Sequence, residues 1–139
     1  LVTHQKESQT LSYPSADLEP SDWLRFVQLD PFAKKWAKLG LTDDDLRTLE
    51  ILIMAMSDRA PVLKGTGGLR KVRCSQEGAN RSKRDSFRVC YTLFPDYGIA
   101  LLVTVFGKNE KSNLTAADKN AVAKVIKAIQ KQLDQGVIR

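Results

Sequence analysis

The segment Ile99–Phe106, IALLVTVF, constrains the fold more than any other part of the chain. It is strand-length, rich in β-branched residues, and shows almost no polar alternation. A strand of that kind is covered on both faces, so it belongs in the middle of a sheet with apolar layers on either side. The remaining sequence has to supply those layers.

Upstream, WLRFVQL (Trp23–Leu29) is apolar and short enough for a strand. DPFAKKWAKLG follows as a short amphipathic helix. Asp30 is placed to cap it, Pro31 suits the first helical position, Phe32, Trp36 and Leu39 share a face, and Gly40 ends the turn. A second helix starts at Thr42, with Asp45 three residues on in a near capping box, and lines up Leu46, Leu49, Ile53 and Met56. The acidic triplet Asp43–Asp45 reads as helix-start charge rather than a metal cluster, and Met54 and Met56 read as packing. After Pro61 the period changes. Leu69–Cys74, Ser86–Phe94 and Tyr97–Gly107 read as consecutive strands, the last two joined at Pro95 and Asp96. A final helix begins at the cap Thr115, with Asp118 three residues on. It carries Val122, Val125, Ile126, Ile129 and Leu133 on one face, and Gly136 ends it.

The order is β-α-α-β-β-β-α. It predicts an α+β domain in which a small, mostly antiparallel sheet is packed by an N-terminal helical hairpin and a C-terminal helix. The 139 residues suit one domain, expected over 21–139. Residues 1–20, polar and without period around Pro14 and Pro20, are expected to be a flexible tail. No apolar run approaches the roughly 20 residues that cross a bilayer. The first residues also lack the basic-then-apolar order of a signal peptide, so the expectation is a cytoplasmic protein without membrane contact. Cys74 and Cys90 fall within strands and read as buried thiols.

The net charge of +6 is unevenly placed. Arg59–Arg88 carries a local balance of +7, leaving −1 for the rest of the chain. This points to a polyanion reached through one face. KGTGGLRKVR (64–73) lies at the centre of that segment. Its glycines follow a helix and precede a strand, the reverse of a phosphate-cradling P-loop, so they are expected to serve the turn. Strand alternation then sets Leu69, Lys71 and Arg73 on one face. Arg88 shares a face with Cys90 and Thr92 on the next strand, and with suitable register it joins Lys71 and Arg73 in one cationic patch. Such a patch holds a phosphate and stabilises charge that develops on it.

Missing residue types narrow the chemistry. His4, in the expected tail, is the sole histidine, and no carboxylate cluster accompanies the basic face. No metal or cofactor is therefore expected. What remains is attack by an RNA 2′-hydroxyl on its own adjacent phosphate, assisted by Lys and Arg, with a lysine of depressed pKa as a plausible base.

The strings KGTGGLRKVR, FRVCY and FGKNEKSNLT resemble the RelE/ParE superfamily of toxins from toxin-antitoxin pairs, most closely its HigB-type branch. The resemblance spans roughly residues 24 to 135. It implies a RelE-like fold and a ribosome-dependent endoribonuclease that cuts messenger RNA in the A site of the 70S ribosome, against rRNA. It also implies a cognate helix-turn-helix antitoxin (HigA-like), with operator DNA met only indirectly through that antitoxin. Lys71 and Arg73 match two basic catalytic positions, Arg88 matches the arginine on the transition state, and Lys108 lies in the basic segment after the last strand. Asn109 stands where RelE has a second arginine and Thr115 lies near where it has a tyrosine, so Lys108, Glu110 or Tyr91 are the candidates for acid and base. Lys64, Arg70, Arg81, Lys83, Arg84 and Lys111 are expected to grip RNA. Two alternatives use the same residues differently: a ParE-like, non-enzymatic inhibitor of DNA gyrase, and a non-catalytic RNA-binding module.

Overall fold

A computed structural model describes residues 2–4, 23–75, 86–111 and 113–137. The described elements are β1 (Val2–His4), β2 (Arg25–Gln28), α1 (Asp30–Lys38), α2 (Asp43–Met56), β3 (Arg70–Ser75), β4 (Ser86–Phe94), β5 (Ile99–Phe106) and α3 (Ala116–Asp134). Single 3₁₀ turns follow α2 and β4. The expected order of elements is present, with β1 in addition. Three residues of the segment read as a tail pair antiparallel with β2, Val2 opposite Gln28.

The sheet order is β1-β2-β5-β4-β3, so Ile99–Phe106 does lie inside the sheet, flanked by β2 and β4. β2 runs parallel to β5, and every other pairing is antiparallel. On one face the helical hairpin supplies Phe32, Trp36, Leu46, Leu49 and Ile53, which pack on Phe26, Phe87, Val89, Tyr91, Leu102 and Val105. On the other face Ile126 and Leu133 of α3 cover Val27, Leu69, Phe94, Leu101 and Val103. Each fully buried large apolar side chain contributes roughly 1.5–3 kcal/mol, which is why an unalternating strand demands both layers. Trp36 stacks on Phe32 and meets Phe87 edge-on with ring centroids 5.3 Å apart, fixing α1 over the start of β4.

The helix ends follow from the sequence with one correction. Both capping boxes form: Thr42 and Thr115 accept from the backbone N–H of Asp45 and Asp118, whose carboxylates accept from the cap N–H in return. The first helix, however, is capped by the backbone of Leu29, and Asp30 lies inside its first turn, where its charge still suits the dipole.

The glycine-rich stretch serves the turn. Gly65, Gly67 and Gly68 all have positive φ. The fully buried Thr66 closes the loop by donating to Leu63 O and accepting from Leu69 N–H. A Cβ on Gly67 would meet Ala123 of α3 at an ordinary contact distance of 3.6 Å, so it is the positive φ that favours glycine there.

One irregularity bears on function. Cys90 pairs with Thr104 but Tyr91 pairs with Leu102, so Val103 is an extra residue in β5. The bulge slips the alternation: Ile99, Leu101 and Val103 face α3, whereas beyond it Val105 faces the hairpin and Phe106 returns to the α3 side. The slip sets Phe106 opposite Arg88 and delivers Gly107 beside that arginine.

Candidate functional site

β3 and β4 pair in the register that joins the expected cations. Lys71 lies opposite Cys90, and Arg73 lies directly opposite Arg88. Residues opposite one another share a face, so Lys71, Arg73 and Arg88 occupy one side of the sheet, toward the end where β3 stops and β4 starts. Arg73 is exposed, and Lys71 and Arg88 are half-buried.

Arg88 is held in place. Its Nη2 donates to Gly107 O at 3.0 Å and to Glu110 O at 2.7 Å, two carbonyls of the turn that follows β5. Its Nε is buried and has no hydrogen-bond partner among the described residues. The guanidinium is thus anchored at one corner by the turn 107–110. Arg73 is oriented through Nε, which donates to Ser86 Oγ at 3.2 Å.

The turn 107–110 is itself latched. Glu110 Oε1 accepts from Gly107 N–H at 2.9 Å, and Oε2 accepts from Lys35 Nζ at 2.7 Å. Lys35 also sits 4.9 Å from the centre of the Phe106 ring, tying α1 to the end of β5. The Lys35 hydrogen bond, then the Gly107 N–H, then the charges of Lys35 and Arg88 hold the Glu110 carboxyl below its usual range. Lys108, Asn109 and Lys111 are exposed on and after this turn. A Cβ on Gly107 would lie 3.0 Å from Leu39 Cδ2, so glycine lets the turn close on the α1–α2 connection.

Other sequence candidates fall elsewhere. Arg70 points to the hairpin side, where its Nη1 donates to Asp58 O and Ala60 O, both at 2.6 Å. Through Nη1 that guanidinium is tied to the chain segment after α2. Tyr91 is fully buried, and its hydroxyl donates to Ser57 O at 2.9 Å, fastening the residue that ends α2 with positive φ. It is a core residue and cannot serve as acid or base on the opposite face. Lys64 is exposed in the glycine turn, at the far end of β3 from Arg73. Arg81, Lys83 and Arg84 lie outside the described residues. Cys74 and Cys90 are free, buried thiols, pushed up by burial to about 12 and about 11. Sequence reasoning missed Lys35 and Ser86. Lys35 was half of a polar pair on a short helix with no marker of its partner 75 positions away.

Among the described residues, no group of three or more His, Cys, Asp or Glu side chains is placed to hold a metal ion. Nor is any described helix long and apolar enough to cross a membrane.

Fold and site together define a small three-layer α+β domain with an arginine pair fixed at one end of its sheet. No known family profile matches the chain. Among solved structures it is similar to E. coli toxin RelE, an arginine-to-alanine double mutant in the free state. The two share 15% sequence identity with a TM-score of 0.44, over 77% of this chain and 97% of that one.

Proposed function

We propose that this chain is the toxin of a toxin-antitoxin pair and cleaves messenger RNA on the ribosome. The observation that carries the reading is the Arg73–Arg88 pair. Like charges placed directly across two strands repel, and a sheet end that keeps them there is built to receive something negative. Lys71 on the same face adds a third cation. The resemblance of the GTGGLRKVR and GKNE strings to the HigB-type branch supports the same function.

In the proposed reaction the RNA 2′-oxygen attacks the adjacent phosphorus. A 2′-O–P bond forms and the P–O5′ bond breaks, giving a 2′,3′-cyclic phosphate and a 5′-hydroxyl. Arg88 and Arg73 bind the non-bridging oxygens and stabilise the extra negative charge of the pentavalent phosphorane. Lys71 is assigned to take the 2′ proton, and Lys108 to supply one to the departing 5′-oxygen. Glu110, with both carboxylate oxygens engaged, is assigned to positioning: it holds the turn whose carbonyls aim Arg88. The partners of this reading are the ribosomal A site with its mRNA and rRNA, and a cognate helix-turn-helix antitoxin.

The test is toeprinting of a translated messenger on purified ribosomes, beside Arg88→Ala and naked-RNA controls. Cuts at A-site codons that require both the ribosome and Arg88 are expected. Absence of cuts by folded protein that still arrests growth would overturn the nuclease reading and direct attention to gyrase supercoiling.

A further inference from the structure

We propose that the cavity at the end of the sheet is a nucleobase site, receiving the base next to the phosphate gripped by Arg73 and Arg88. The proposal rests on the RNA-cleaving reading above. The cavity measures about 260 Å³ and lies between Leu39 and Leu41 of the α1–α2 connection, Ser86 and Phe87 at the start of β4, and the turn 107–110. That is smaller than the roughly 300–1,000 Å³ of sites for drug-sized molecules, and suits one flat ring system rather than a peptide or helix.

Its lining is divided as a base requires. Leu39, Leu41 and Phe87 give an apolar wall, against which a ribose-phosphate chain gains nothing and the face of a base is removed from water. Asn109 is exposed at the rim, and its amide offers one acceptor and two donors, the complement of a base edge. Glu110 also lines the cavity, and Lys35 at 2.7 Å offsets its charge, so the rim does not repel a nucleotide.

The cavity and the cations share walls. Ser86 lines the cavity and accepts from Arg73, while Gly107 and Glu110 line it and accept from Arg88. A base seated there places its own sugar-phosphate beside the two guanidinium groups. Bound this way, the nucleotide is positioned by its base before its phosphate reacts, and the cavity contributes to which codon position is cut.

The test uses a fluorescein-labelled 2′-O-methyl RNA trinucleotide, which lacks the attacking hydroxyl, and the same ribose-phosphate backbone with its bases removed. Each is titrated with the full chain by fluorescence anisotropy. The base-bearing oligomer is expected to bind at least fivefold tighter. Leu39→Ala and Asn109→Ala should bring that ratio toward one without changing affinity for the abasic oligomer, and Arg88→Ala should weaken both by the same factor. Asn109 is exposed, so its variant keeps the test sound if Leu39→Ala perturbs folding. Equal binding of the two oligomers, a ratio unmoved by both variants, or binding of neither would each overturn the base site. The ribosomal cutting assay independently decides the nuclease reading.

Discussion

Arg88 is where most of the site's geometry converges, because one guanidinium joins the sheet to the turn 107–110 while leaving a buried N–H unmet. Lysine cannot reproduce a planar fork of donors. Arg88→Lys is therefore expected to slow cutting on programmed ribosomes by about two to three orders of magnitude, the loss typical of a preorganised oxyanion donor. Single-turnover kinetics checks this. Glu110 makes a pH prediction. Its carboxyl lies below the usual range in the folded protein, so its contribution is complete above the unfolded value and is lost as pH falls through the lower, folded one. Acid should loosen the turn 107–110, seen as exchange broadening of its amide signals between neutral and acid pH, and Glu110→Gln should abolish the dependence. The buried thiols behave oppositely. Cys90 and Cys74 stay protonated to about 11 and about 12, so the native protein should resist thiol-modifying reagents at neutral pH. Their support for the fold is present below the ordinary thiol pKa and is lost as pH climbs through that interval. Rapid labelling of native protein would contradict this.

Among elements, α2 shows how far local chemistry dictates structure. Thr42 and Asp45 satisfy each other's backbone donors, and Thr42→Ala is expected to cost about 1 kcal/mol, measured by denaturant melts. Gly67→Ala meets a positive φ, and should destabilise by about 1 kcal/mol, read by denaturant melts. The capping boxes, the unalternating β5 and the shared face of Lys71 and Arg73 were legible because each depends on neighbours within a few residues. The Val103 bulge was not, because a run of apolar residues reads alike in either phase. Nor was the engagement of the Arg70 guanidinium with the carbonyls of residues 58 and 60, since alternation gives the face of a side chain and says nothing about what waits there. The pairing of β1 escaped notice because Val2–His4 has too few residues to display a period.

At the scale of the molecule, the segment Arg59–Arg88 holds the whole charge excess, and the fold gathers three of its cations at one sheet end. On the proposed reading these cations converge on one phosphate, so binding of single-stranded RNA should weaken with salt, and this site should contribute about −0.7 to the log–log slope. Replacing Arg73 and Arg88 together by alanine should remove that contribution. Affinity measured across a salt series checks it; an unchanged slope would place the phosphates elsewhere. The parallel pairing of β2 with β5 has a consequence in time rather than in space. Arg25 meets Ile99, 74 positions further along the sequence, whereas β3, β4 and β5 join near neighbours. Closing the longer loop costs more chain entropy before any contact repays it. The three-stranded meander is thus expected to gain hydrogen-exchange protection first during refolding, with β2 and the hairpin it carries docking afterwards, so the arginine pair forms before the turn that aims it is closed by Lys35.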